Sequence, residues 1–149
     1  VADALFEVLE ENQWETEYIR NAKEPIAPFL KMHSLYSSYR AINFVKNILL
    51  NFCSVLLERR MKIRKMPQMY LWGLIMSGHM DEERVKALLP SMLQKAEKKG
   101  RTLEILFHPG RVMEQEISEE FSQKDAILFH ISRDREIEKE TVLKLDVNI

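Results

Sequence analysis

The chain has 149 residues, 46% hydrophobic and 30% charged, with 22 Lys+Arg against 23 Asp+Glu for a net charge of −1. That balance fits one globular domain, argues against disorder, and lacks the basic excess of a dedicated nucleic-acid binder. One cysteine, Cys53, leaves no internal disulfide, and four glycines leave Gly-rich phosphate loops and flexible linkers poorly supplied.

In chain order, the apolar spacing of Ala2, Leu5, Phe6 and Leu9 predicts a helix over residues 1–12, under way from the start. No signal-peptide pattern accompanies it, a cytoplasmic location is expected, and the chain reads as beginning inside a larger pattern. A short strand carrying Tyr18 and Ile19 is expected over 15–20. Pro25 and Pro28 make 21–38 mostly loop, with one helical turn. A long helix follows over 39–64, ending before Pro67. Met69 to Trp72 reads as a second strand and 73–78 as a loop.

Asp81 reads as the N-cap of the next helix. Glu82 and Glu83 fall in its first turn, Lys95, Lys98 and Lys99 in its last, and Gly100 stops it. Pro90 is expected to kink or break it. A strand over 102–107, a helical turn over 115–122 and a final helix over 133–145 complete the pattern. Strands alternating with helices predict an α/β class with parallel pairing and right-handed crossovers.

Several features carry little chemistry. Gly73 and Gly78 have the glycine spacing of a phosphate-binding loop, but His79 and Met80 stand where that motif needs Lys and Ser/Thr. The apolar run 48–57 is interrupted upstream by Asn43, Lys46 and Asn47 and within it by Asn51. It falls short of an uninterrupted membrane span, and Cys53 within it reads as a small buried hydrophobe. Arg59, Arg60, Lys62, Arg64 and Lys65 form a basic cluster that reads as a solvated helix end. His33, His79 and His130 have no partner at metal-ligand spacing.

The strand over 102–107 is the informative segment. Period two places Glu104, Leu106 and His108 on one side and Leu103, Ile105 and Phe107 on the other. His108 then stands at the carboxyl end of a parallel strand, where ligands bind in open sheets and barrels, and Pro109-Gly110 forces a tight exit. Its imidazole can give or take a proton near neutrality. Arg20, closing the first strand, is expected on the same face, where its guanidinium suits an anionic or hydroxyl-rich ligand; pairing with a carboxylate such as Glu24 is the alternative.

Glu104-Ile-Leu-Phe-His-Pro-Gly110 resembles the Glu-x-x-x-His-Pro-Gly signature of the YdjC-like carbohydrate deacetylases, the ChbG/HpnK type. Tyr18-Ile-Arg20 with Glu24-Pro25, Trp72-Gly73 through Ser77-Gly78, and Arg135-Glu136 with Leu143 are similar to further stretches of that family, in order over most of the chain. The resemblance implies a distorted (β/α) TIM-like barrel and metal-dependent hydrolysis of the N-acetyl group of an acetylated amino sugar, chitooligosaccharide-like. It implies a divalent metal, magnesium or zinc, with His108 as the acid for the leaving amine and Arg20 at the substrate.

The family's ligands are an Asp from an Asp-Asp-Phe-Gly-like strand and two histidines, one in a His-x-His element. None of these segments is in this sequence, so no metal ligand is assigned. Residues 1–149 are therefore expected to be a single truncated domain, the C-terminal half of such an enzyme, inactive alone. Open strand edges and eight methionines lead to an expected homo-oligomer. The competing reading is a non-catalytic α/β module that binds a partner or anionic surface through the basic end at Arg59 to Lys65. A third is a peripheral membrane role for the long helix. No nucleic acid and no membrane span are expected.

Overall fold

A computed structural model describes residues 2–110, 112–118 and 123–145. The central unit is a parallel pair of strands, β1 (Met69–Trp72) and β2 (Thr102–Ile105), joined by helix α4 (Glu82–Glu97). Register runs from Met69 opposite Thr102 to Trp72 opposite Ile105. A parallel pair needs such a crossover because a tight turn cannot return the chain to the same end of the sheet.

Helix α4 starts where the Asp81 side chain accepts the Arg84 N–H at 3.1 Å. Val85, Leu88, Met92 and Ala96 form its buried stripe. The expected break at Pro90 does not occur. Pro90 is exposed, so the carbonyl that loses its N–H partner faces water and the helix continues. Together with Phe29, Trp72, Ile75, Met76 and Met80, this stripe makes a core of fully buried side chains. Leu103, Ile105 and Phe107 pack against it, so the alternation expected for β2 holds.

Mixed helix and parallel strand is thus observed, with corrections. The strand expected over 15–20 does not form, and the sheet has two strands among the described residues. The segment lies exposed, with Trp14 and Tyr18 at 62% and 50%, and without a ladder partner an extended chain is no strand. A backbone hydrogen bond to β1 comes from just beyond the segment, where the Lys23 carbonyl accepts the Leu71 N–H at 2.9 Å.

Helix α1 (Ala2–Glu11) forms as expected, while 21–38 folds into α2 (Ala27–Lys31) and a 3-10 segment, His33–Ser38. β2 stops two residues short of the expected end. The expected turn over 115–122 is a 3-10 turn at Glu114–Glu116, and residues 119–122 lie outside the described residues. Helix α5 (Lys124–Ile131) was not anticipated, and α6 (Asp134–Lys144) matches the final helix.

Helix α3 (Ala41–Ile63) departs most from expectation, in polarity rather than position. Its buried residues are Asn43, Asn47, Ser54, Glu58 and Met61, at spacings that trace one helix face. The opposite face exposes Ile42, Val45, Ile48, Leu49, Phe52, Val55, Leu56 and Ile63, each 38–74% accessible. Cys53 is likewise exposed, not buried. By length and composition alone α3 could cross a membrane. Its polar stripe, however, is engaged by the body of the domain. Asn43 Nδ2 donates to the Ile75 carbonyl at 3.1 Å, and Glu58 accepts Lys23 Nζ at 2.7 Å and the Arg101 guanidinium. These polar contacts outweigh apolar patterning because a buried amide or carboxylate without partners is costly. Helix α1 lies beside the C-terminal half of α3, pairing Asp3 with Arg60 and Glu10 with Arg64, whose guanidinium sits 4.3 Å from the Phe6 ring centre.

Candidate functional site at the carboxyl end of the sheet

β1 ends at Gly73, where the chain turns with φ of 140°. A Cβ there would lie 2.3 Å from the Leu106 carbonyl oxygen, so both conformation and space require glycine. The turn presents three successive N–H groups inward, and the Glu24 carboxylate accepts all of them. Oε1 takes Gly73 at 2.7 Å and Leu74 at 3.0 Å; Oε2 takes Ile75 at 2.9 Å and Asn47 Nδ2 at 2.8 Å. Asn51 holds the Glu24 backbone from both sides, donating to its carbonyl at 2.9 Å and accepting its N–H at 3.0 Å. Successive N–H groups of this kind make an anion nest. In the loop whose glycines imitate a phosphate site, the chain fills that nest with its own carboxylate.

Next to it, the fully buried Glu138 of α6 ties two loops together. Its Oε1 accepts the Gly78 N–H at 3.0 Å and its Oε2 the His108 N–H at 2.6 Å. The His108 ring lies beyond the end of β2, edge-on to Phe129 with centroids 5.5 Å apart, its side chain 30% exposed. His108 Nδ1 is 3.7 Å from Glu138 Oε2, an ion pair when the ring is protonated. The site is therefore a half-open imidazole whose backbone is pinned by a buried carboxylate.

The two carboxyls titrate in opposite directions. Burial pushes Glu24 above the ordinary carboxylate value, against the pull of its backbone and Asn47 hydrogen bonds. Burial pushes Glu138 up as well, but the His108 imidazole and N–H, with the Met80 N–H, bring it below that value.

Arg20 pairs with Glu104, opposite Leu71 in the register, and Glu24 is not its partner. It meets the sheet four residues before His108, half exposed, so the structure does not bring the two together at one rim. The basic cluster is partly neutralised, with Arg60 and Arg64 tied to α1. His33 packs on Tyr36 at 5.1 Å and His130 on Phe129 at 5.6 Å, while the His79 N–H donates to the Met76 carbonyl.

The described residues do not fit a metal. They contain no group of three or more potential ligands, and the carboxylate oxygens nearest His108 are occupied by N–H donors.

Asn47 and Glu138 were not expected in the site, and Glu24 was expected there only as an alternative partner for Arg20. The i, i+4 spacing of Asn43, Asn47 and Asn51 was visible, but they read as interruptions of an apolar run rather than as a polar face. Glu138 gave no signal, because α6 buries Glu138 and Thr141 while Ile137, Val142 and Leu143 are exposed. No family model matches the chain, and no curated protein or solved structure matches it significantly.

Proposed function

We propose that this chain is the histidine-bearing, C-terminal part of a metal-dependent carbohydrate deacetylase of the YdjC-like type, built on half of a distorted (β/α) barrel. Its substrate is the N-acetyl group of an acetylated amino sugar. The reading rests on the Glu104 to Gly110 motif and on one observation. His108 stands past the end of a parallel strand, backbone fixed by buried Glu138, ring half-open to solvent. That is where α/β sheets present their chemistry.

Cleaving an amide expels an amine, which leaves only once protonated. An imidazole held at this position can deliver that proton, a contribution of about 10²–10⁴ in rate. Glu138 steadies the imidazole and its charge in the protonated form. Arg20 is paired with Glu104 and half exposed, four residues along the sheet from His108, and its role at the substrate rests on the resemblance alone. The divalent metal finds no fitting ligand set among the described residues. Its ligands are assigned to the Asp-Asp and His-x-His elements that the resemblance places upstream of Val1 in the whole polypeptide.

The test is acetate release from an N-acetylated chitooligosaccharide with added zinc or magnesium. The 149-residue chain is expected to be inactive. The polypeptide encoded by the whole reading frame is expected to turn over and to lose about 10²–10⁴ in rate on His108→Ala. Turnover by the short chain overturns the division of labour. No turnover by the whole polypeptide with either metal overturns the reading.

A further inference from the structure

The apolar face of α3 is the largest feature the fold leaves uncovered. Ile42, Val45, Leu49, Phe52, Leu56 and Ile63 follow alternating steps of three and four residues, with Arg59 completing the series. That is the spacing of a helix–helix seam. At 56–74% exposure, these six side chains offer roughly 450 Å² of apolar surface. A standard interface of about 800 Å² per partner contains about that much apolar area.

Charge decides what covers it. Apart from the buried Glu58, α3 carries no acid, so two parallel copies would set cationic ends side by side. An anionic lipid surface would meet α1, which flanks the C-terminal half of the face with Asp3, Glu7, Glu10 and Glu11. Lys46 and Arg64 are 18 residues apart, five full turns, so Lys46 lies on the same flank as α1, at the opposite end of α3. Glu7 and Glu11 are exposed and make no ion pair among the described residues, and Lys46 makes none either.

We infer that this face is a homodimer interface, in which α3 of a second copy lies antiparallel about a two-fold axis near Phe52. That arrangement buries seam against seam and sets each Lys46 against the acidic α1 of the other copy. Each Arg59 extends past the partner's Val45 toward the rim, where its head stays wet. The inference does not depend on the deacetylase reading.

Exposed Cys53 lies beside the axis and serves as a reporter. A short bismaleimide is expected to join two purified chains rapidly through Cys53, and sedimentation equilibrium to give twice the monomer mass. Phe52→Glu with Leu49→Glu, both at solvent-facing positions and checked for an unchanged circular dichroism spectrum, is expected to raise the dimer Kd at least about 100-fold and to abolish the cross-link. Lys46→Glu is expected to weaken the dimer about tenfold, and Glu7→Lys with Glu11→Lys to restore it in the Lys46→Glu background. A monomer at high micromolar concentration overturns the inference. So does a dimer unaffected by the Phe52 and Leu49 substitutions, or a monomer that co-sediments with phosphatidylserine vesicles.

Discussion

Two buried carboxylates bracket the carboxyl end of the sheet, and they are held by different kinds of donor. Glu24 faces only neutral groups: three N–H groups of the Gly73 turn and the Asn47 amide. Glu138 faces the N–H groups of Gly78, His108 and Met80 and an imidazole that can carry charge. Burial prevails at the first and the histidine at the second, so their carboxyls move apart from the same starting value. The difference separates a carboxylate that shapes a loop from one coupled to an ionisable group. Only the second has a means of influencing chemistry.

Removing either carboxylate tests that contrast. Glu24→Ala strands three backbone N–H groups and Asn47 in the interior, and an expected loss of about 4–6 kcal/mol in urea unfolding follows. Gly73→Ala attacks the same turn from the other side. The clash with the Leu106 carbonyl and the positive φ together are expected to cost about 3 kcal/mol or more, read from the same titration. Glu138→Gln leaves one oxygen for the N–H donors of Gly78, His108 and Met80, for an expected loss of about 2 kcal/mol.

The pH dependence sharpens the comparison further. A lowered folded pKa, as for Glu138 and Glu58, contributes stability above the unfolded value of about 4.3 that disappears as pH falls through the folded value. A raised one, as for Glu24, contributes fully below that value and is lost as pH rises through the folded pKa. Urea midpoints measured against pH should therefore lose part of their acid decline in Glu138→Gln. In Glu24→Gln the change should fall on the higher-pH side instead; the same side for both would show that the two carboxyls are not distinct. The smallest effect is expected at Arg20→Ala. A half-exposed pair with Glu104 contributes less than about 1 kcal/mol, so a larger loss would place Arg20 in the fold itself.

Much of the β1–α4–β2 unit was legible from residues alone. The Met69–Trp72 strand, the Asp81 cap, the helix that follows it and the two-sided alternation of β2 all follow from local signals. The strand expected over 15–20 failed because strand formation requires a partner edge, which no local pattern supplies. Cys53 was misplaced because apolar neighbours on a helix were taken to face inward.

Sequence by itself determined that helices and parallel strands alternate around His108, because periodicity, caps and turn residues act within a few positions of one another. Tertiary structure alone decided that α3 turns its asparagines inward, that Glu24 fills the nest after β1, and that Glu138 reaches His108 from thirty residues away. Each of those outcomes depends on satisfying buried donors far apart in the chain, and the cost of leaving them unpaired exceeds what apolar patterning on one helix can offset.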